Sequence, residues 1–141
     1  MKKNRISMLG VTLLEIMLVL AVAAMIIIMS VRYYQSATVS QQSNSVLQQV
    51  QAISAAADTY APGNGGYTGL SNANLPISSP NVLNLPWGGS ATVTGQTGTT
   101  YQIGLPGVPA NVCTSLTASL RSNGKFSPAS GCATIDYNAA G

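Results

Sequence analysis

Catalysis and metal binding draw first on charged side chains and histidine, and this chain of 141 residues has few. They are Lys2, Lys3, Arg5, Arg32, Arg121 and Lys125 against Glu15, Asp58 and Asp136, with no histidine. The commonest general base and the commonest metal ligand are therefore both missing. Serine and threonine are abundant, but a hydroxyl nucleophile needs a base beside it. The C-terminal part offers only Lys125, Asp58 and Asp136. Paired carboxylates for glycoside hydrolysis and a glycine-rich phosphate loop are likewise lacking. Cys113 and Cys132 are two thiols with no neighbouring histidine or acid cluster, short of a metal site. No catalytic residue, cofactor or metal is expected.

Two features remain with chemistry to offer. One is Glu15, a carboxylate within an otherwise uncharged apolar run from Val11 to Val31. An acid at membrane depth is a functional-site hypothesis by default, costing about 2.5–3.5 kcal/mol at a helix centre and less near its end. The other is the cysteine pair. Residues 11–31 would form a helix of roughly 31 Å, matching a hydrocarbon core of about 30 Å. Lys2, Lys3 and Arg5 precede it, which keeps the short N-terminus cytoplasmic and sends the rest across. Both cysteines are then exported to an oxidising compartment, where a disulfide is the default. Arg32, Tyr33 and Tyr34 follow the run as an interfacial anchor.

The elements that position these residues follow from periodicity. No glycine or proline occurs from Val11 through Ala61, so one helix is expected there, stopped by Pro62-Gly63. Its second half is amphipathic, with Val39, Val46, Val50, Ile53, Ala57 and Tyr60 on one stripe and Gln41, Ser45, Gln48 and Ala55 opposite. Residues 61–90, rich in Gly, Asn, Ser and Pro, read as a long loop ending in Leu85-Pro86-Trp87-Gly88-Gly89, a tight turn that folds the indole onto the core. Ala91 and Val93 alternate with Thr92 and Thr94. Tyr101, Ile103 and Leu105 alternate with Thr100, Gln102 and Gly104, and Gly95 to Thr99 connects the two runs as a hairpin. Val112, Leu116 and Leu120 give Ala110–Arg121 a helical period stopped by Asn123-Gly124, and Ile135 and Tyr137 mark a final strand. The fold class expected is α+β, a long N-terminal helical stem carrying a small antiparallel sheet.

The stretch Lys-Lys-Asn-Arg-Ile-Ser-Met-Leu-Gly followed by Val-Thr-Leu-Leu-Glu-Ile-Met-Leu-Val-Leu resembles the class III signal of type IV prepilins and pseudopilins. In that family a membrane-embedded aspartyl peptidase cuts after the glycine and methylates the new N-terminus. The resemblance implies cleavage after Gly10, methylation of Val11, and Glu15 as the fifth mature residue. Val11 stands where many members have phenylalanine. The ten-residue leader is of the type IVa kind, whereas the body is closer to type IVb pilins. In a bundle of apolar stems each new α-amino group is a buried positive charge, and a carboxylate from a neighbouring chain can pair with it. Such a pair attracts strongly in a low dielectric and is costly to leave broken. In the family this glutamate is thought to set the register between subunits. The Cys113–Cys132 pair is similar to the C-terminal disulfide loop of type IV pilins.

The organisation implied is a leader at 1–10, a membrane and assembly half of the stem at 11–34, an amphipathic half at 35–61, and a head at 62–141. The partners implied are further copies of the chain in a helical filament, the prepilin peptidase, the pilus assembly machinery with its minor pilins, and the inner membrane before assembly. The final location implied is the surface of a Gram-negative cell, where such filaments serve adhesion, motility or DNA uptake. DNA binding would rest on Arg121 and Lys125, and two charges give weak, salt-sensitive contact with phosphate. Two other readings share some of these features. One is a type II secretion pseudopilin or minor pilin. Major pseudopilins have a calcium site whose acids this chain lacks, and they do not have this disulfide. The other is a monomeric anchored domain, which would keep its leader and be indifferent to Glu15.

Overall fold

The computed structural model describes the backbone of residues 5–141 and the side chains of residues 12–141. The elements in chain order are helix α1 (Arg5–Asn64), a 3₁₀ turn at Pro80–Leu83, strands β1 (Thr92–Gly95) and β2 (Thr100–Gly104), and helix α2 (Ala110–Arg121). Strand β3 (Phe126–Pro128), a second 3₁₀ turn at Ser130–Cys132 and strand β4 (Thr134–Asn138) complete the chain. The layout is α+β, one long apolar N-terminal helix with a four-stranded antiparallel sheet of order β1-β2-β4-β3. The chain divides into two compact units, residues 1–38 and 39–141.

The described residues of the first unit, 5–38, are all helix. From Leu13 to Tyr34 its large apolar side chains are exposed all round, Met29 at 70% and Tyr33 at 79%. A helix apolar on every face has no single core to turn toward and belongs in lipid or inside a bundle. This one is long and apolar enough to cross a membrane. Two of its hydroxyls are folded back on the helix: Ser30 Oγ donates to the Ile26 carbonyl (2.8 Å) and Thr38 Oγ1 to that of Tyr34 (2.9 Å). Each thereby hides a polar group within the backbone ladder.

The second unit holds the core. Val46, Val50, Ile53 and Ala57 of α1 are wholly buried, with Val39 and Tyr60 packed at the margins, while Gln41, Ser45, Gln48 and Ala55 are exposed. Ala91, Val93, Tyr101, Ile103, Leu105, Ile135 and Tyr137 form the sheet's buried face, and Val112, Leu116 and Leu120 that of α2. An aromatic cluster joins the sheet to the loop after α1. Tyr101 stacks on Tyr137 at 4.5 Å between ring centres, Tyr67 lies 4.9 Å from Tyr101, and Phe126 lies 5.1 Å from Tyr137. Such pairs add about 0.5–1.5 kcal/mol beyond their buried area.

The end of α1 corrects the expected stop at Pro62-Gly63. The helix runs on to Asn64 with Pro62 inside its last turn. There the proline deletes one backbone donor without ending the helix. Termination falls to Gly65, whose φ of 70° is left-handed, and the Gly66 N–H reaches back to the Ala61 carbonyl at 2.9 Å. This is the Schellman pattern, in which a residue lacking Cβ reverses the chain at no steric cost.

The loop after α1 is packed rather than loose. Tyr67, Leu70, Leu75, Leu83 and Leu85 are buried along it. It also covers the outer edge of β1. Asn72 Nδ2 donates to the Ala91 carbonyl (3.0 Å), the Val93 N–H donates to Asn72 Oδ1 (2.6 Å), and the Gly95 N–H donates to the Leu70 carbonyl (2.8 Å). At the opposite edge, the Asn138 N–H donates to the Lys125 carbonyl and the Ala129 N–H to that of Thr134. Phe126 and Pro128 therefore turn their backbone groups outward, and proline brings no donor to that edge. Both edges of the sheet are guarded against pairing with another strand.

Candidate functional site

Glu15 lies exposed on the first unit, flanked along the helix by Leu13, Leu14, Ile16 and Met17, all more than half exposed. It has no ion pair with another described residue. The nearest described basic side chain along the helix is Arg32, also exposed. A carboxylate so placed is solvated only where water reaches it. In lipid or among apolar helices it must be neutralised or paired. Gly10 and Val11, the expected cleavage site, lie outside the residues whose side chains are described, as does the rest of the expected leader.

The second unit brings Cys113 and Cys132 together in a disulfide with a Cα–Cα distance of 5.5 Å. It fastens the first turn of α2 to the 3₁₀ turn that leads into β4. Cys132 is wholly buried and has a φ of 54°, the left-handed region that a side chain disfavours. Thr117 Oγ1, one turn along α2 from Cys113, directs its hydroxyl at Cys132 Sγ from 3.3 Å. The sulfurs are thus enclosed by α2 and their own turn.

The four charges of the second unit are scattered. Asp58 on α1 accepts the Tyr67 hydroxyl proton at 2.6 Å. Burial first, and the Asp58 carboxylate second, push the Tyr67 phenol far above its ordinary range. Tyr101 is shifted the same way, by burial first and then by Tyr137 and Asp58. Asp136 on β4 accepts from Gln102 Nε2 at 2.7 Å. Arg121 closes α2, where a cation complements the helix dipole, and Lys125 precedes β3; both are exposed. Among the described residues no group of three or more histidine, cysteine or acidic side chains converges as a metal site would need.

A groove of about 310 Å³ runs between α1 and the loop, lined by Ala52, Ala55, Ala56, Thr59, Pro76, Ile77, Ser78 and Val82. Thr59 Oγ1 donates to its own helix at the Ala56 carbonyl (2.7 Å). Small apolar walls and a Thr59 hydroxyl spent on its own helix suit packing rather than catalysis. Trp87 lies half-buried on the core, its Nε1 donating to the Pro106 carbonyl at 2.9 Å, as the Pro-Trp-Gly turn predicts.

Sequence reasoning singled out Glu15, the cysteines and Trp87. It missed the Tyr67–Asp58 bond and the role of Asn72. Nine positions separate the first pair, with a helix end between them, and an isolated asparagine in a polar loop carries no periodic signal. In comparisons with known proteins, no family model, no curated protein and no solved structure matches this chain.

Proposed function

We propose that this chain is the precursor of a structural filament subunit, a pilin of the type IV kind with no catalytic activity of its own. The observation that carries this reading is an apolar helix exposed on all faces and interrupted near its start by the single acid Glu15. A plain membrane anchor has no use for that acid, whereas a bundle of identical stems does. The precursor sits in the inner membrane with the second unit outside. Cleavage after Gly10 frees an α-amino group at Val11, which is then methylated. That amino group on one stem pairs with Glu15 on its neighbour, which fixes axial register as the apolar helices leave lipid for one another. The disulfide then holds the second unit closed outside the cell.

Intact mass and N-terminal sequence of the protein from its native host, together with electron microscopy of the cell surface, test this reading. The expected result is a chain beginning at methylated Val11 and present in surface filaments. A chain beginning at Met1, uncleaved, or at Ala24, cut after the small residues Ala21-Val22-Ala23 as a secretory signal peptide would be, would refute it. Correct processing without filaments, joined to a secretion defect on deletion, would move the protein to the pseudopilins.

A further inference from the structure

The surface of the second unit is almost free of charge. Residues 39–141 contain two acids, Asp58 and Asp136, and two bases, Arg121 and Lys125, and no two of them form an ion pair. The rest of the exposed surface is mainly Ser, Thr, Asn, Gln and Gly, which are uncharged. These four groups therefore carry all the long-range steering the unit has.

They are not equivalent. Arg121 and Lys125 lie four residues apart at the turn from α2 to β3, both exposed, and make a doubly positive pole. Asp136 is half-buried on the sheet, held by Gln102 and facing Ser127 across the strands. Its strand partner Ser127 follows Lys125 by two positions. Asp58 is different. It stands exposed on α1, and Tyr67 fixes one carboxylate oxygen from 2.6 Å and leaves the other open. A carboxylate held in place forfeits less side-chain freedom when it meets a cation.

We infer that the Arg121–Lys125 turn of one copy docks on the Asp58 carboxylate of a second copy. Donor and acceptor are different residues, from the turn after α2 and from α1, so a contact used once between each pair of copies repeats head-to-tail, as the filament reading requires. Its occupant is a second copy of this chain, because charge complementarity within so neutral a surface selects for a partner with the same four charges. The inference rests on the filament reading above and names a contact between the exported units, separate from the pairing of stems through Glu15.

Lys125 is the only lysine beyond the leader, so peptide mapping of a zero-length carbodiimide cross-link separates its linkages from those of the Val11 amino group and of Lys2 and Lys3 in uncleaved chains. The probe is applied to the full chain, both as material sheared from cells and in native membranes, followed by denaturing electrophoresis and peptide mapping. A ladder of dimers and higher species carrying a Lys125–Asp58 linkage is expected, lost in Lys125→Gln. Lys125→Glu should weaken assembly, and Lys125→Glu combined with Asp58→Lys should restore it. Filaments that yield Lys125 joined only to Asp136, or no ladder, would overturn the contact and leave the filament reading intact. A Lys125–Asp58 ladder from membranes in cells that make no filament would keep the contact and sink the filament reading. Neither filament nor ladder would sink both.

Discussion

Replacing both cysteines with alanine tests how the disulfide stabilises the second unit. Its two ends are 19 positions apart, and chain entropy assigns closure of such a loop about 3 kcal/mol. A second effect opposes it. Cys132 sits at a φ of 54°, which costs an L-residue roughly 1–2 kcal/mol, and without the bridge the turn is free to leave that conformation. The variant should therefore lose about 1–2 kcal/mol. At roughly 4–8 °C per kcal/mol for a domain of this size, the midpoint falls by about 4–16 °C. The assay is thermal unfolding of the full chain in detergent micelles, followed by the fluorescence of Trp87 and by near-ultraviolet dichroism. Trp87 is the sole tryptophan and is fixed to Pro106, while Tyr67, Tyr101 and Tyr137 form the aromatic cluster. Reduced wild type should match the variant. The dichroism at low temperature should be unchanged, because the bridge acts chiefly on the unfolded chain. A midpoint shift below about 3 °C, or loss of the dichroic signal before any heating, would refute this reasoning.

Gly95→Ala should destabilise the unit by roughly 3 kcal/mol or more, since the new methyl would overlap the Tyr67 carbonyl oxygen and lie 2.9 Å from the Leu70 nitrogen; a chemical-denaturation midpoint equal to wild type would contradict it. Asn72→Ala removes the side-chain partners of the Ala91 carbonyl and the Val93 N–H, at about 1–3 kcal/mol, and should speed hydrogen exchange at Val93 more than at Ile103. Alkali should unfold the protein early. Tyr67 and Tyr101 have phenols raised above the ordinary value near 10, so the folded state keeps protons that the unfolded state gives up. Their contribution is complete below about pH 10 and is lost as pH rises beyond it. Urea midpoints that stay level from pH 9 to pH 11 would count against that sign.

Much of the fold is legible because its elements are periodic. Ala110–Arg121 has apolar residues at steps of four, between Pro109 and Asn123-Gly124, and the observed helix has those bounds. The strands at 92–95, 100–104 and 134–138 bury Val93, Tyr101, Ile103, Ile135 and Tyr137, as strict alternation requires. β3 was not legible. Three residues cannot show a period of two, and Pro128 argues against a strand unless its backbone faces an open edge. The end of α1 misled for a related reason. Pro62 carries the stronger local signal, yet a proline in a last turn forfeits one hydrogen bond, while Gly65 supplies the reversal. Glu15 was conspicuous only because everything around it is apolar. Asp58 was unremarkable until its partner Tyr67 appeared from beyond the helix end.

The two tasks assigned to the first helix make opposite demands on Glu15, and that opposition can be measured. In lipid the carboxylate is a penalty, about 2.5–3.5 kcal/mol at a helix centre and less toward an end. Among packed stems, on the filament reading proposed above, it would be an asset, because it would neutralise an amino group otherwise buried unpaired. Glu15→Gln keeps the side-chain shape and removes the charge. Retention in the membrane, read as the carbonate-resistant fraction, should hold or rise. The fraction recovered in filaments should collapse. Glu15→Asp keeps the charge but withdraws it by one methylene, so membrane retention should equal wild type and assembly should be intermediate. If Gln lowered both quantities together, Glu15 would serve insertion or folding of the helix, and the pairing argument would fail. If Gln left assembly at the wild-type level, the exposed apolar faces from Leu13 to Tyr34 would suffice for association. The acid would then need another explanation.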